Sequence, residues 1–195
     1  MIGIIDYGSG NLGSVRNALD RLGAGSFVSS SPAELDRAEK LILPGVGAAG
    51  NAMRLIAASG LQEWLHRLEA PLLGICLGMQ LMFEYSRENH TPCLGLVPGT
   101  VEPFAAPGLR TPHTGWNQVY PTADDPLFRD IAPGEYFYFV HSYYAAPGAA
   151  TIATATYGAE FSAAVTRANS RGVQFHPEKS GPAGLRLLEN FISLC

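Results

Sequence analysis

In the first half of the chain, apolar residues come in short unbroken runs that alternate with stretches where they recur every three or four positions. Ile2 to Ile5 reads as a strand, and Leu12, Val15, Leu19 and Leu22 then fall on one face of a helix. Ser31-Pro32-Ala33-Glu34 offers an N-cap, a proline at the first helical position and a capping-box glutamate, which predicts a second helix. Leu41 to Leu43 is the next strand. After a glycine-rich segment, Met53 and Ile56 and then Leu61, Trp64, Leu65 and Leu68 mark a helical face interrupted at Gly60. Pro71 to Ile75 follows as a buried strand. Strands without polar alternation, joined by helical crossovers, predict an α/β fold: a mostly parallel sheet flanked by helices.

From about residue 94 to 178 the pattern shifts to short β-like pieces: Gly95 to Val101, Asn117 to Tyr120, Tyr136 to Val140, Thr151 to Thr156, Ala163 to Thr166 and Gly172 to Phe175. An antiparallel β extension of the sheet is expected there. Leu185, Leu188 and Ile192 predict a closing helix. No repeat or linker divides the 195 residues, of which 47% are hydrophobic, so residues 1–195 read as one domain.

Composition narrows the function classes. The 13 Lys+Arg against 17 Asp+Glu give a net charge of −4, without the basic surplus that nucleic acid or an anionic membrane demands. The longest apolar run, Leu72 to Met79, is under half a spanning helix, and MIGIIDYG lacks the features of a signal peptide, so a cytoplasmic location is expected. Cys76, Cys93 and Cys195 are odd in number and form no CxxC pair, which points to reduced thiols and to no metal site.

Gly74-Ile75-Cys76-Leu77-Gly78 stands between an apolar strand and a helical stretch, the G-x-nucleophile-x-G pattern of a nucleophile elbow with Cys as nucleophile. At a helix N-terminus a thiolate is favoured; a buried core cysteine is the competing reading. A nucleophilic thiol wants an imidazole base. His176 ends a strand piece, and Glu178 lies two residues on, where extended chain would turn both side chains the same way with Pro177 holding the segment. His-Pro-Glu as a surface turn with an ion pair is the alternative. An acyl-transfer site also needs oxyanion donors: the Leu77 N–H is one, and the loop Pro44-Gly45-Val46-Gly47 offers Val46 and Gly47 for the second, unless it is a plain turn.

Gly8-Ser9-Gly10-Asn11-Leu12-Gly13 matches a dinucleotide fingerprint, but the acidic residue expected about 20 positions on is missing, so no cofactor is expected and the loop reads as part of the sheet's functional edge. His141, Ser142 and Tyr143 look like a site wall, Phe137 and Phe139 like core, and His66 and His90 like solvent-facing side chains.

PGVG at 44–47, GICLGMQ at 74–80 and GVQFHPEKS at 172–180 together resemble the class I, triad-type glutamine amidotransferase family, over nearly the whole chain. The resemblance implies that Cys76 attacks the side-chain amide of L-glutamine, that His176 moves the proton to departing ammonia, and that Glu178 orients His176. Within that family, GIIDYGSGNLGSV at 3–15, PHTGWN at 112–117 and YFVHSYY at 138–144 are similar to the glutaminase subunits of imidazole glycerol phosphate synthases, of histidine biosynthesis. By this likeness Gly45, Gly47, Gln80, Ser142 and Tyr143 hold glutamine, and Asn11, Trp116 and Lys179 face a separate (βα)8 cyclase subunit. A separate acceptor chain also makes chemical sense, because ammonia released into water becomes ammonium and loses its nucleophilicity. A glutaminase serving anthranilate or guanylate synthesis, and a cysteine hydrolase acting on peptides or small esters, are the rival expectations.

Overall fold

A computed structural model of the chain describes residues 1–105 and 108–195. The first half alternates strand and helix: β1 (Ile2–Ile5), α1 (Leu12–Arg21), β2 (Ser26–Ser29), α2 (Pro32–Leu35), β3 (Lys40–Gly45), α3 (Ala49–Ala58), α4 (Leu61–His66), β4 (Leu72–Cys76) and α5 (Leu77–Leu81). The second half is mostly strand: β5 (Tyr85–Ser86), β6 (Thr91–Pro92), β7 (Thr100–Pro103), β8 (His113–Pro121), β9 (Glu135–His141), β10 (Tyr143–Ala145), β11 (Thr151–Tyr157), β12 (Ala159–Arg167) and β13 (Ser170–Val173), closed by α6 (Gly181–Leu194).

Among the described residues these strands form a nine-stranded sheet, ordered β2-β1-β3-β4-β13-β12-β11-β8-β9, and a four-stranded one, β10-β7-β5-β6. Strands β2, β1, β3, β4 and β13 run parallel, and the rest of the large sheet is antiparallel. Successive strand side chains point to opposite faces, and both faces are apolar. Ile2, Ile4, Ile42, Leu73 and Ile75 pack with Val15 and Leu19 of α1 and Leu187, Leu188 and Phe191 of α6. Ile5, Leu41, Leu43 and Leu72 pack with Met53, Ile56, Leu61, Trp64 and Leu65 of α3 and α4. Coverage on both sides is what strands lacking polar alternation require, and the expected α/β architecture with an antiparallel extension is the one observed.

Four local expectations need correction. The Ser31 capping box does not form: α2 is a single turn, Ser31 makes no side-chain cap bond, and Glu34 instead accepts from Ser29 Oγ at 2.5 Å. Gly95 to Val101 is strand only from Thr100, and it joins the small sheet rather than the large one. The Gly172 strand belongs to both halves, pairing parallel to β4 and antiparallel to β12. The segment after it is not extended: Pro177–Lys179 is a 3₁₀ turn, for which the fixed φ of proline at the first position is as suitable as for extended chain.

Candidate active site

Strand β4 passes into α5 with no intervening loop, and Cys76 occupies the bend at φ 55°, ψ −111°. A non-glycine residue in that region costs of order 1–3 kcal/mol and persists only where its surroundings enforce it. The enforcement is visible. A Cβ on Gly78 would lie 1.9 Å from the Leu43 carbonyl oxygen, and one on Gly45 would lie 2.5 Å from the Gly78 nitrogen. The ends of β3 and β4, paired at Gly45 and Cys76, therefore interlock with the first turn of α5.

Cys76 is buried, and its thiol points toward the Val140 carbonyl of β9 at 3.7 Å, with Gln174 Nε2 3.9 Å from the sulfur. It opens on a cavity of about 340 Å³ lined by Val46, Gly47, Leu77, Gln80, Glu88, Pro112, Val140, His141, Ser142, Tyr143 and His176. The cavity sits at the carboxyl ends of β3, β4 and the β13 segment, the usual ligand position in open α/β sheets.

The chain beyond β13 is clamped onto β9. The His176 N–H donates to the Tyr138 carbonyl at 2.9 Å, the Tyr138 N–H to Ser180 Oγ at 3.0 Å, and Ser180 Oγ–H to the His176 carbonyl at 2.6 Å. The turn Pro177–Lys179 then folds Glu178 back, so that its Oε1 lies 2.8 Å from His176 Nδ1. Both side chains are almost wholly buried. Asn11 Nδ2 donates to the same Oε1 at 3.3 Å. His176 Nε2 has no hydrogen-bond partner among the described residues and faces the cavity it shares with Cys76. Burial works against charge on this imidazole, but the adjoining Cys76 and the Glu178 carboxylate outweigh it and raise the pKa to about 9. No aligned hydrogen bond yet joins sulfur and imidazole, as is common before a substrate draws the groups together.

Of the residues singled out from sequence, Cys76, Leu77, Val46, Gly47, Gln80, Ser142, Tyr143 and His176 line one cavity, with Glu178 bonded to His176. The Val46 carbonyl accepts from Ser9 Oγ at 3.0 Å, which ties the Gly8–Gly13 loop to this rim. Gly45 lies outside the lining, because the elbow fills the space beside it. Asn11 is turned inward onto the Glu178 carboxylate. Trp116, 56% exposed, and the exposed Lys179 flank Tyr138, with the Trp116 ring 6.0 Å from the Tyr138 ring and Lys179 Nζ 6.0 Å from its centroid.

Sequence reasoning missed Glu88, the acidic residue among the described cavity-lining side chains, whose Oε2 accepts from the Ala49 N–H at 2.7 Å. It lies in a polar loop where neither periodicity nor a motif marks it; its charge is its only signal. Also unforeseen is the use made of Gln80, whose two amide hydrogens go to the Tyr143 carbonyl at 2.8 Å and to Gln174 Oε1 at 2.9 Å. No group of His, Cys, Asp and Glu among the described residues could hold a metal ion, and no described helix is long and apolar enough to cross a membrane.

The family model "Glutamine amidotransferase class-I" matches residues 3–194. The chain is 49% identical to the imidazole glycerol phosphate synthase subunit HisH of Mannheimia succiniciproducens over 97% of each chain. It is 47% identical to the subunit of the same name from Xanthomonas axonopodis pv. citri, covering 99% of this chain and 97% of that one. Among solved structures it is similar to that of PurLQS from Thermotoga maritima, with a TM-score of 0.71 at 19% identity, over 98% of this chain and 96% of the other. The match along almost its whole length establishes that the chain belongs to the class I glutamine amidotransferase family.

Proposed function

We propose that this chain is the glutaminase subunit of an imidazole glycerol phosphate synthase and releases ammonia from L-glutamine for histidine biosynthesis in the cytoplasm. What carries the reading is near-full-length identity of 47–49% to subunits of that name; the convergence of a buried sulfur, a free imidazole nitrogen and a carboxylate on one cavity supplies the chemistry.

Glutamine enters with its carboxamide toward Cys76. The sulfur attacks the amide carbon, and its proton resides on His176, whose raised pKa and bond to Glu178 keep the imidazolium stable. The carbonyl oxygen becomes an oxyanion beside the Leu77 N–H and the Val46–Gly47 peptide. Collapse of this intermediate breaks the C–N bond, His176 gives its proton to the departing amine, and ammonia leaves. A water then loses a proton to His176 and attacks the glutamyl thioester, which returns the thiolate and yields glutamate. Glu88 has the charge to receive the α-ammonium of a free amino acid. Gln80, with both donors already committed, meets the substrate through its carbonyl oxygen. Ser142, Tyr143 and Gly47 complete the wall.

The ammonia acceptor is a (βα)8 cyclase subunit, docked on the face that carries Trp116 and Lys179. An exposed tryptophan beside a cation on tyrosine is the sort of cluster that anchors protein interfaces. The test is co-purification with the cyclase, followed by glutamine-dependent formation of imidazole glycerol phosphate. Cys76→Ala should cut that activity by at least about 10³-fold while ammonia-dependent formation persists. Full glutamine-dependent activity in the variant would refute the assignment.

A further inference from the structure

The cavity is also lined by a histidine that the mechanism above does not use. His141 lines the cavity, and behind it lies a second buried histidine, His113. His141 Nδ1 is 2.8 Å from the Tyr143 carbonyl, His141 Nε2 is 2.9 Å from His113 Nδ1, and His113 Nε2 is 3.4 Å from Asn117 Nδ2. A carbonyl can only accept, so His141 Nδ1 must bear hydrogen. Burial lowers the pKa of His141 to about 3 and that of His113 to about 4, so both rings are neutral. His141 Nε2 is then bare, and His113 Nδ1 must donate to it. His113 Nε2 is bare in turn and accepts from Asn117, whose second amide hydrogen goes to the Thr156 carbonyl at 2.9 Å and whose Oδ1 accepts from the Gln118 N–H at 2.8 Å. Every hydrogen in the chain is assigned, and all donate in one direction.

The inner end of that chain is the Tyr143 carbonyl, which also accepts from Gln80 Nε2. We propose that His113 and His141 are positioning residues of the glutamine pocket: their one-way chain of hydrogen bonds from Asn117 fixes the Tyr143 carbonyl, and through it the Gln80 side chain, at the cavity wall. The proposal rests on the glutaminase reading and deepens it. Space-filling does not account for the pair. His113 stacks on Tyr157 with centroids 4.0 Å apart and on Phe139 at 5.1 Å, a niche that a phenyl ring would fill without burying polar nitrogens. The cost of two desolvated imidazoles is offset only by the bonds they make, and those bonds end on the substrate wall.

His113→Phe keeps the stacking and removes the donor. In the complex with the cyclase, we expect the KM for glutamine to rise about tenfold, the loss of roughly one buried hydrogen bond, with kcat within about twofold because the triad is untouched. His113→Asn, whose amide nitrogen sits where ring Nδ1 was, should recover most of that KM; His113→Gln should not. Nitrogen chemical shifts of the wild-type histidines should show both rings neutral, with hydrogen on Nδ1, at neutral pH. An unchanged KM in His113→Phe, or either ring charged or carrying its hydrogen on Nε2, overturns the proposal. A wild-type complex without glutaminase activity overturns the glutaminase reading instead, and the ring shifts, which need no turnover, still decide the chain.

Discussion

One cavity is lined by two buried histidines, and the two are electrostatic opposites. His176 has a carboxylate on Nδ1 and nothing on Nε2, and its pKa is raised to about 9. His141 has a carbonyl on Nδ1 and a second imidazole on Nε2, and its pKa is lowered to about 3. Burial pushes both down. The partners decide the outcome: beside His176, Cys76 and the Glu178 carboxylate together outweigh desolvation, whereas the carbonyl dipole on His141 does not. Reactivity also follows from what is missing, since the ring with a vacant nitrogen can take and give a proton and the ring with both nitrogens bonded can only hold its place.

The difference between the two histidines breaks most completely at Glu178. Glu178→Gln replaces charge by a dipole and makes the surroundings of His176 resemble those of His141, so on the proposed mechanism kcat should fall by about 10²- to 10⁴-fold with the KM for glutamine much less affected. The same variant has a stability signature. The folded-state pKa of His176 lies above its usual 6.5, so the stability it contributes is fully present below about pH 6.5 and is lost as pH rises through about 9. Denaturant midpoints followed across that window should decline in the wild type and decline less in Glu178→Gln; parallel curves would contradict the charge pairing.

A smaller break comes from behind the turn. A Cβ at position 184 would stand 2.0 Å from the Pro177 carbonyl, so Gly184→Ala must move α6 away from the Pro177–Lys179 turn. Stability should drop by about 1–3 kcal/mol. In steady-state assays, kcat should fall by roughly ten- to a hundredfold, as for a catalytic group displaced by a fraction of an ångström, whereas the nitrogen shifts of His141 should stay where they were. The least effect is expected from Asn11→Ala, which removes one 3.3 Å bond to Glu178 and should lower kcat about fivefold. A larger loss in cyclase binding than in kcat would assign Asn11 to the partner interface, as the family likeness implies.

What could be read from sequence was what is encoded locally. The elbow is a run of five residues whose glycines are demanded by contacts within β3, β4 and α5, and the His-Pro-Glu turn brings its own carboxylate. Strands β1, β3 and β4 were equally plain, because each is almost wholly buried and announces itself by an apolar run, whereas β2, SFVS at the partly exposed sheet edge, has no such run. His141, Ser142 and Tyr143 were legible as a site wall, but the partner of His141 was not. Its pairing depends on the antiparallel register that sets His113 opposite His141 on β8 and β9, which no local pattern specifies. The same is true of β5 and β6, two residues each, and of Glu88, which reaches the cavity from a loop. The Ser31 capping box is replaced by Ser29, whose Oγ accepts from the Ser31 N–H that Glu34 would have taken and itself donates to Glu34.

The backbone at Cys76 carries a last implication. Its φ of 55° with ψ of −111° suits a residue without a side chain, yet the position holds the sulfur that the proposed mechanism uses as its nucleophile. Glycine there would relax the bend and add to the protein's durability at the cost of all chemistry. Robustness and usefulness thus pull against each other at a single α-carbon.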